Sequence, residues 1–163
     1  MKNEIRLLQK IRRTIIPFII LLVLSGITAF PLQTELNFLV ESLEADTGIL
    51  YQWLNEVSSA INYMNNTYPF LAYGTDWLAF AHIVISIFFI GVYKDPIKNI
   101  WITYTGIIAC LLIFPLAFIA GYVRDIPLFW QLIDCSFGAL GLIPLILIHK
   151  NTKELERLTS LNH

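Results

Sequence analysis

The stretch Asn99–Val123, NIWITYTGIIACLLIFPLAFIAGYV, carries no Lys, Arg, Asp, Glu or His. An α-helix rises about 1.5 Å per residue and the hydrocarbon core of a bilayer is about 30 Å thick, so roughly 20 apolar residues cross it. This stretch is long enough outright. On its C-terminal side Ile126–Ile148 contains only Asp134 and the thiol Cys135 as ionisable groups, and on its N-terminal side Trp77–Tyr93 contains His82 as its one ionisable residue apart from Tyr. Thr14–Pro31 is again free of charge. Four apolar blocks with the charges gathered between them predict four membrane spans, at 14–31, 73–93, 99–122 and 126–148. A buried soluble core does not leave so regular a spacing.

Composition agrees. Of 163 residues, 56% are hydrophobic and 14% charged, against about 25% charged in a soluble domain. The formal net charge is -1, which excludes a nucleic-acid binder built on a basic field. Two cysteines are too few for a disulfide scaffold or a four-thiolate metal site. The predicted fold class is all-α, an integral membrane four-helix bundle with a small outer amphipathic helical cap.

Charge placement gives the expected orientation. Lys2, Arg6, Lys10, Arg12 and Arg13 lie in the basic N-terminus 1–13, Lys94 and Lys98 in loop 94–98, and Lys150, Lys153 and Arg157 in the tail 149–163. Arg124, in the 123–125 loop, is the one basic residue on the other side. Basic loops stay cytoplasmic, so both termini are expected inside a plasma (inner) membrane. Tyr73, Trp77, Tyr122 and Trp130 then fall at the outer interface, and Tyr93, Trp101 and Tyr104 at the inner one, the depth amphipathic rings prefer. The first block also has features of a signal peptide, but Ile27-Thr28-Ala29 fits the small-x-small cleavage rule poorly, and a retained first span is the preferred reading.

The outer segment 32–72 holds Glu35, Glu41, Glu44 and Glu56 and the acid Asp46, with no basic residue from 31 to 75. Leu36, Leu39, Val40 and Leu43 recur at helical spacing, as do Leu50, Trp53, Leu54, Val57, Ile61 and Met64, and Asp46-Thr47-Gly48 separates the runs with turn and N-cap chemistry. Two amphipathic helices are predicted. A cap on the bundle or the leaflet is preferred over a lid or a docking face for a partner.

Inside the spans an ionisable side chain costs about 2.5–3.5 kcal/mol, so it is paired or does work. His82 and Asp134 both lie about 10–13 Å below the outer face by residue count. Equal depth would let them meet as a titrating pair. Thr75, Ala79, His82 and Ser86 share one helix face, as do Gln131, Asp134, Gly138 and Gly141 on the last span, and Thr103, Gly106, Cys110 and Ala117 on the third. Asp76, Gln131, Thr75 and Ser86 are therefore candidate ligand-binding or proton-relay residues around His82 and Asp134, with Arg124, Asp125 and Trp130 at the entrance. The competing reading is an interhelical polar clamp worth about 0.6 kcal/mol, with small residues serving packing alone.

No cofactor is predicted. A bis-histidine haem lacks its second intramembrane ligand, because His149 stands at the inner end and His163 at the terminus, although a single axial His82 is compatible with haem. A zinc site has no recognised spacing, and lone Cys110 and Cys135 do not form a redox pair. The expected partners are the lipid bilayer, a small amphipathic ligand, and a membrane-protein partner or a second copy, with no nucleic acid. The leading functional expectation is an outer-leaflet polar site for a small molecule or for proton-linked transport. The alternatives are a membrane-embedded enzyme acting on a lipid, quinone or isoprenoid, with His82 as acid/base, and a structural or assembly subunit of a membrane complex. Orientation is directly testable: with Cys110 and Cys135 replaced by Ala, a Thr47→Cys variant should react with an impermeant maleimide on intact cells, whereas Lys2→Cys and Ser160→Cys should react only after lysis.

Overall fold

In lipid every backbone N–H and C=O must find a partner within the protein, and an α-helix satisfies them within one segment. The computed structural model describes residues 2–43 and 47–161. Among these residues the chain is all-α. The helices are α1 (Lys2–Ala29), α2 (Leu32–Ser42), α3 (Ile49–Thr67), α4 (Ala72–Lys94), α5 (Ile100–Val123) and α6 (Leu128–Leu161), with a 3₁₀ turn at Pro69–Leu71 before α4. Four helices, α1, α4 with its preceding turn, α5 and α6, are long and apolar enough to cross a membrane. The chain is a multi-pass membrane protein.

Helix ends differ from the expected span ends in an informative way. The basic N-terminus belongs to α1, and the tail after Ile148 continues α6 to Leu161. Lys, Glu, Arg and Leu are good helix formers, and nothing between Ile148 and Leu161 breaks the period. The 34 residues of α6 reach about 50 Å, well beyond the hydrocarbon. Asp46 of the expected turn, and Glu44 and His163, lie outside the described residues. Within that turn Gly48 is the N-cap of α3, in extended conformation, and Gln52 bonds back to Thr47 and Gly48.

The chain divides into two compact units, 1–20 with 87–163, and 21–86. In the first, α5 and α6 make the most extensive helix pairing, and small residues set its spacing. A Cβ on Gly138 would stand 2.8 Å from the Cys110 carbonyl oxygen, and one on Gly141 would stand 2.9 Å from Cys110 Sγ. Gly106 admits Phe89 and Leu145 in the same way. Near the start of α1, Arg12 Nε donates to the Tyr93 carbonyl at 3.1 Å, and its guanidinium lies 5.1 Å from the Tyr93 ring centroid. Phe18 meets Phe89 edge-on at 4.9 Å. Ile11, Ile15, Val92, Leu145 and Ile148 are fully buried. Large side chains on the opposite faces, such as Leu116, Ile119, Phe137 and Leu140, are exposed. Apolar residues on both the inner and outer faces of these helices are what a lipid solvent requires.

In the second unit α2 and α3 pair side by side, and the last turn of α1 meets the middle of α4 around Ala79–Ile83. Gly26 permits that approach, since a Cβ there would lie 2.8 Å from the Ala79 carbonyl oxygen and 3.3 Å from His82 Cβ.

A backbone oxygen cannot swing aside as a side chain can, so Gly138→Ala should destabilise the protein by about 1–3 kcal/mol. The open control is Gly74→Ala, where an added methyl meets nothing within 4 Å. Thermal unfolding in detergent should separate the two variants clearly.

Candidate functional site

The connection from α5 to α6 builds one candidate site. Asp125 adopts a left-handed conformation, with φ of 54°, and the Ile126 N–H bonds to the Gly121 carbonyl at 2.9 Å. This is a Schellman closure with Asp where Gly is usual, and short polar side chains tolerate that conformation best after Gly. Pro127 then prevents continuation of α5. Gln131, 9% exposed, donates its amide to the Ile126 carbonyl at 2.7 Å. A Cβ on Gly121 would overlap the Gln131 side chain, so the two positions fit as one unit.

Below this closure lies a hollow of about 260 Å³ between α5 and α6. Ile113, Leu116, Ala117 and Ala120 supply its apolar wall, and Arg124, Gln131 and Asp134 its polar groups. Asp134 is half-buried there. Of the three expected entrance residues only Arg124 lines the hollow; Asp125 is exposed beside it, and Trp130 packs edge-on to Phe129 at 6.4 Å.

His82, Thr75, Ser86 and Asp76 belong to the 21–86 unit and Asp134 and Gln131 to the other, and each has its own surroundings. His82 Nδ1 stands 2.9 Å from the Leu78 carbonyl. A carbonyl only accepts, so a hydrogen is assigned to Nδ1. Thr75 and Ser86 donate their hydroxyls to the carbonyls of Ala72 and Ile83, both at 2.6 Å. Their donor capacity is therefore already engaged, and each can offer a ligand only an acceptor. Asp76 lines two hollows, each of about 290 Å³, one with Phe30, Tyr73, Trp77 and Phe80, the other with Gln33, Asn65 and Thr75 among its walls.

Two polar clusters escape a search for ionisable residues. Between α2 and α3, Asn62 accepts from Gln33 at 2.6 Å and donates to Asn37 at 2.9 Å, Ser58 donates to Asn37 at 2.8 Å, and Asn65 donates to Gln33 at 2.8 Å. The signal was present as Gln33/Asn37 and Ser58/Asn62/Asn65, spaced one turn apart along each helix. Asn65 Oδ1 is buried without a partner, and this asparagine of the Asn65-Asn66-Thr67 sequon is already engaged through its amide nitrogen. In the larger unit, Thr103, Asn151 and Thr152 are buried, and the Oγ1 atoms of both threonines and Nδ2 of Asn151 lack hydrogen bonds, as does Nδ1 of His149, whose ring leans on Tyr104 at 4.7 Å.

Among the described residues no group of three or more His, Cys, Asp or Glu side chains could hold a metal ion. No protein-family profile, curated protein sequence or solved structure matches the chain.

The α2–α3 ladder should behave cooperatively. Asn62→Ala leaves partners unsatisfied in a part-buried seam and should cost about 1–3 kcal/mol. Asn37→Ala should cost a similar amount, and the double variant clearly less than their sum, as read from thermal unfolding.

Proposed function

We propose that this multi-pass membrane protein binds a small amphipathic molecule in the α5–α6 hollow, with Asp134 accepting its proton or hydrogen-bond-donating group. The observation that carries this reading is a half-buried carboxylate in the wall of an otherwise largely apolar hollow on a membrane-spanning helix. Ligand pockets pair an apolar lining with a few placed polar groups, and Ile113, Leu116, Ala117 and Ala120 beside Asp134, Gln131 and Arg124 have that character. A carboxylate at this depth is retained where it is paired or does work.

The roles divide by chemistry. Asp134 lies about 9 Å along α6 from its first residue and is the deep acceptor. Arg124, on the turn, offers a fork of donors to an acidic or carbonyl group at the mouth. Gln131, its amide engaged with the Ile126 carbonyl, holds the turn closed above the hollow. All the basic residues except Arg124 fall on one side of the four spans, which supports cytoplasmic termini and would open this hollow toward the outer leaflet. Protonation of Asp134 would then compete with ligand binding, giving the site the chemistry of proton-linked uptake or release.

The test compares small molecules that copurify with the wild type, Asp134→Asn and Ala117→Leu in mild detergent, by mass spectrometry of the extracts. A species retained by the wild type should fall at least about tenfold in both variants, the loss expected for a charge-assisted contact or a filled cavity, with thermal midpoints held within a few degrees. Equal retention by all three proteins defeats the proposal.

A further inference from the structure

The second acid, Asp76, stands in a different setting. Residues 21–86 contain no Lys or Arg, yet carry Glu35, Glu41, Glu56 and Asp76 among the described positions. No Lys or Arg of its own unit can therefore neutralise Asp76. Around it the hollow of about 290 Å³ is walled by Phe30, Tyr73, Trp77 and Phe80. Tyr73 and Trp77 are perpendicular at 5.9 Å, and Trp77 and Phe80 are perpendicular at 5.9 Å. These three rings come from successive turns of α4. Phe30 arrives from the end of α1, one turn beyond the close approach of Gly26 to Ala79. The rings are only half covered, with Trp77 56% and Phe30 47% exposed.

We propose that Asp76 with Phe30, Tyr73, Trp77 and Phe80 forms a recognition site for a quaternary ammonium group, the trimethylammonium head of a choline-type lipid. Aromatic faces are the negative ends of ring quadrupoles and attract cations within about 6 Å of their centroids. A carboxylate among them adds a full charge. The choice of a quaternary over a primary ammonium follows from hydrogen-bond arithmetic. A primary ammonium brings three N–H donors, and the acceptors of this hollow are confined to the Asp76 carboxylate and the Tyr73 hydroxyl, the rest of its wall being ring. A trimethylammonium has no donor to satisfy, presents methyl groups to the rings, and spreads its charge over their surface. The rings also lie on the first turns of α4, where the apolar stretch begins. That is the level of lipid head groups, and it favours a lipid over free choline as the source. This site shares no residue with the α5–α6 hollow, so either proposal can fail without the other.

The experiment uses the full chain in detergent, offered phosphatidylcholine, phosphatidylethanolamine and phosphatidylglycerol in equal amounts, with retained lipid read by native mass spectrometry. Tetramethylammonium chloride is titrated separately by calorimetry. Wild-type protein should retain phosphatidylcholine over phosphatidylethanolamine by about tenfold, a preference consistent with stacked cation–π contacts. Asp76→Asn and Trp77→Ala should bring that ratio to within about twofold, while Trp77→Phe, which keeps an aromatic face, should preserve most of it. Displacement of phosphatidylcholine by tetramethylammonium supports head-group recognition. Tetramethylammonium binding that these variants abolish, without any lipid preference, overturns the lipid assignment in favour of a free cation. Equal retention of the two zwitterionic lipids with no tetramethylammonium binding overturns the site altogether, leaving the rings as interfacial anchors. A preference that survives both Asp76→Asn and Trp77→Ala overturns it equally.

Discussion

The contact of Gly138 with the Cys110 carbonyl is the constraint on which the best-packed part of the molecule rests. Lipid gives helices no hydrophobic reason to associate, so dispersion contacts between close backbones must do so. A glycine facing a carbonyl brings α5 and α6 nearer than any side chain would allow, and Gly141 repeats the approach one turn on, against Cys110 Sγ. Gly121 extends the same seam to the turn, where the vacated space is filled by Gln131 rather than by backbone. The α5–α6 hollow opens where this series of close contacts gives way to Ala117, Ala120 and the polar groups beyond. Site and seam are thus consequences of one pattern of small residues.

The spans were legible because hydropathy and length act over whole segments. Asn99–Val123 is uncharged throughout, and no tertiary context changes what that means for a helix of its length. The two helices before α4 were legible from the period of their leucines. What faces the partner helix was not. Asn37 and Asn62 lie off the leucine period, and amides satisfy one another across a helix pair as readily as they bind water, so the sequence carries the same polar period in either case. The end of the fourth apolar block marks a change of polarity and not the end of the helix, because Lys153, Glu154 and Glu156 favour a helix about as strongly as the leucines before them, and α6 runs on to Leu161.

The candidate sites were legible at the level of residue type and less so in their surroundings. Counting ionisable groups within the spans singles out His82 and Asp134, and helical faces bring in Gln131. The same arithmetic places Thr75 and Ser86 among the candidate ligand-binding or proton-relay residues, but their hydroxyl hydrogens are already engaged with the carbonyls of Ala72 and Ile83. A hydroxyl on a helix has a carbonyl within reach one turn back, so its appearance on a polar stripe says little about what it offers a ligand. Asp125 illustrates the opposite case. Its place in the 123–125 loop puts it at an entrance, and its left-handed backbone shows that the turn geometry accounts for a short polar residue there.

The two acids separate once their neighbours are compared. Asp134 has aliphatic walls and an arginine on the same hollow, so an incoming group meets both signs of charge along one cleft. Asp76 has aromatic walls, and its own unit contains no Lys or Arg, so within that unit an incoming cation meets a carboxylate with no guanidinium or ammonium to compete. A carboxylate with a nearby guanidinium discriminates by hydrogen-bond geometry, because the arginine fork and the acid must both be matched. A carboxylate among rings discriminates by how charge is distributed over the ligand, because π faces reward a diffuse cation and give nothing to a donor that needs a lone pair. Ligand class therefore follows from the walls of each hollow more than from the acid itself, and an inventory of titratable residues that treats Asp76 and Asp134 as equivalents misses what distinguishes them.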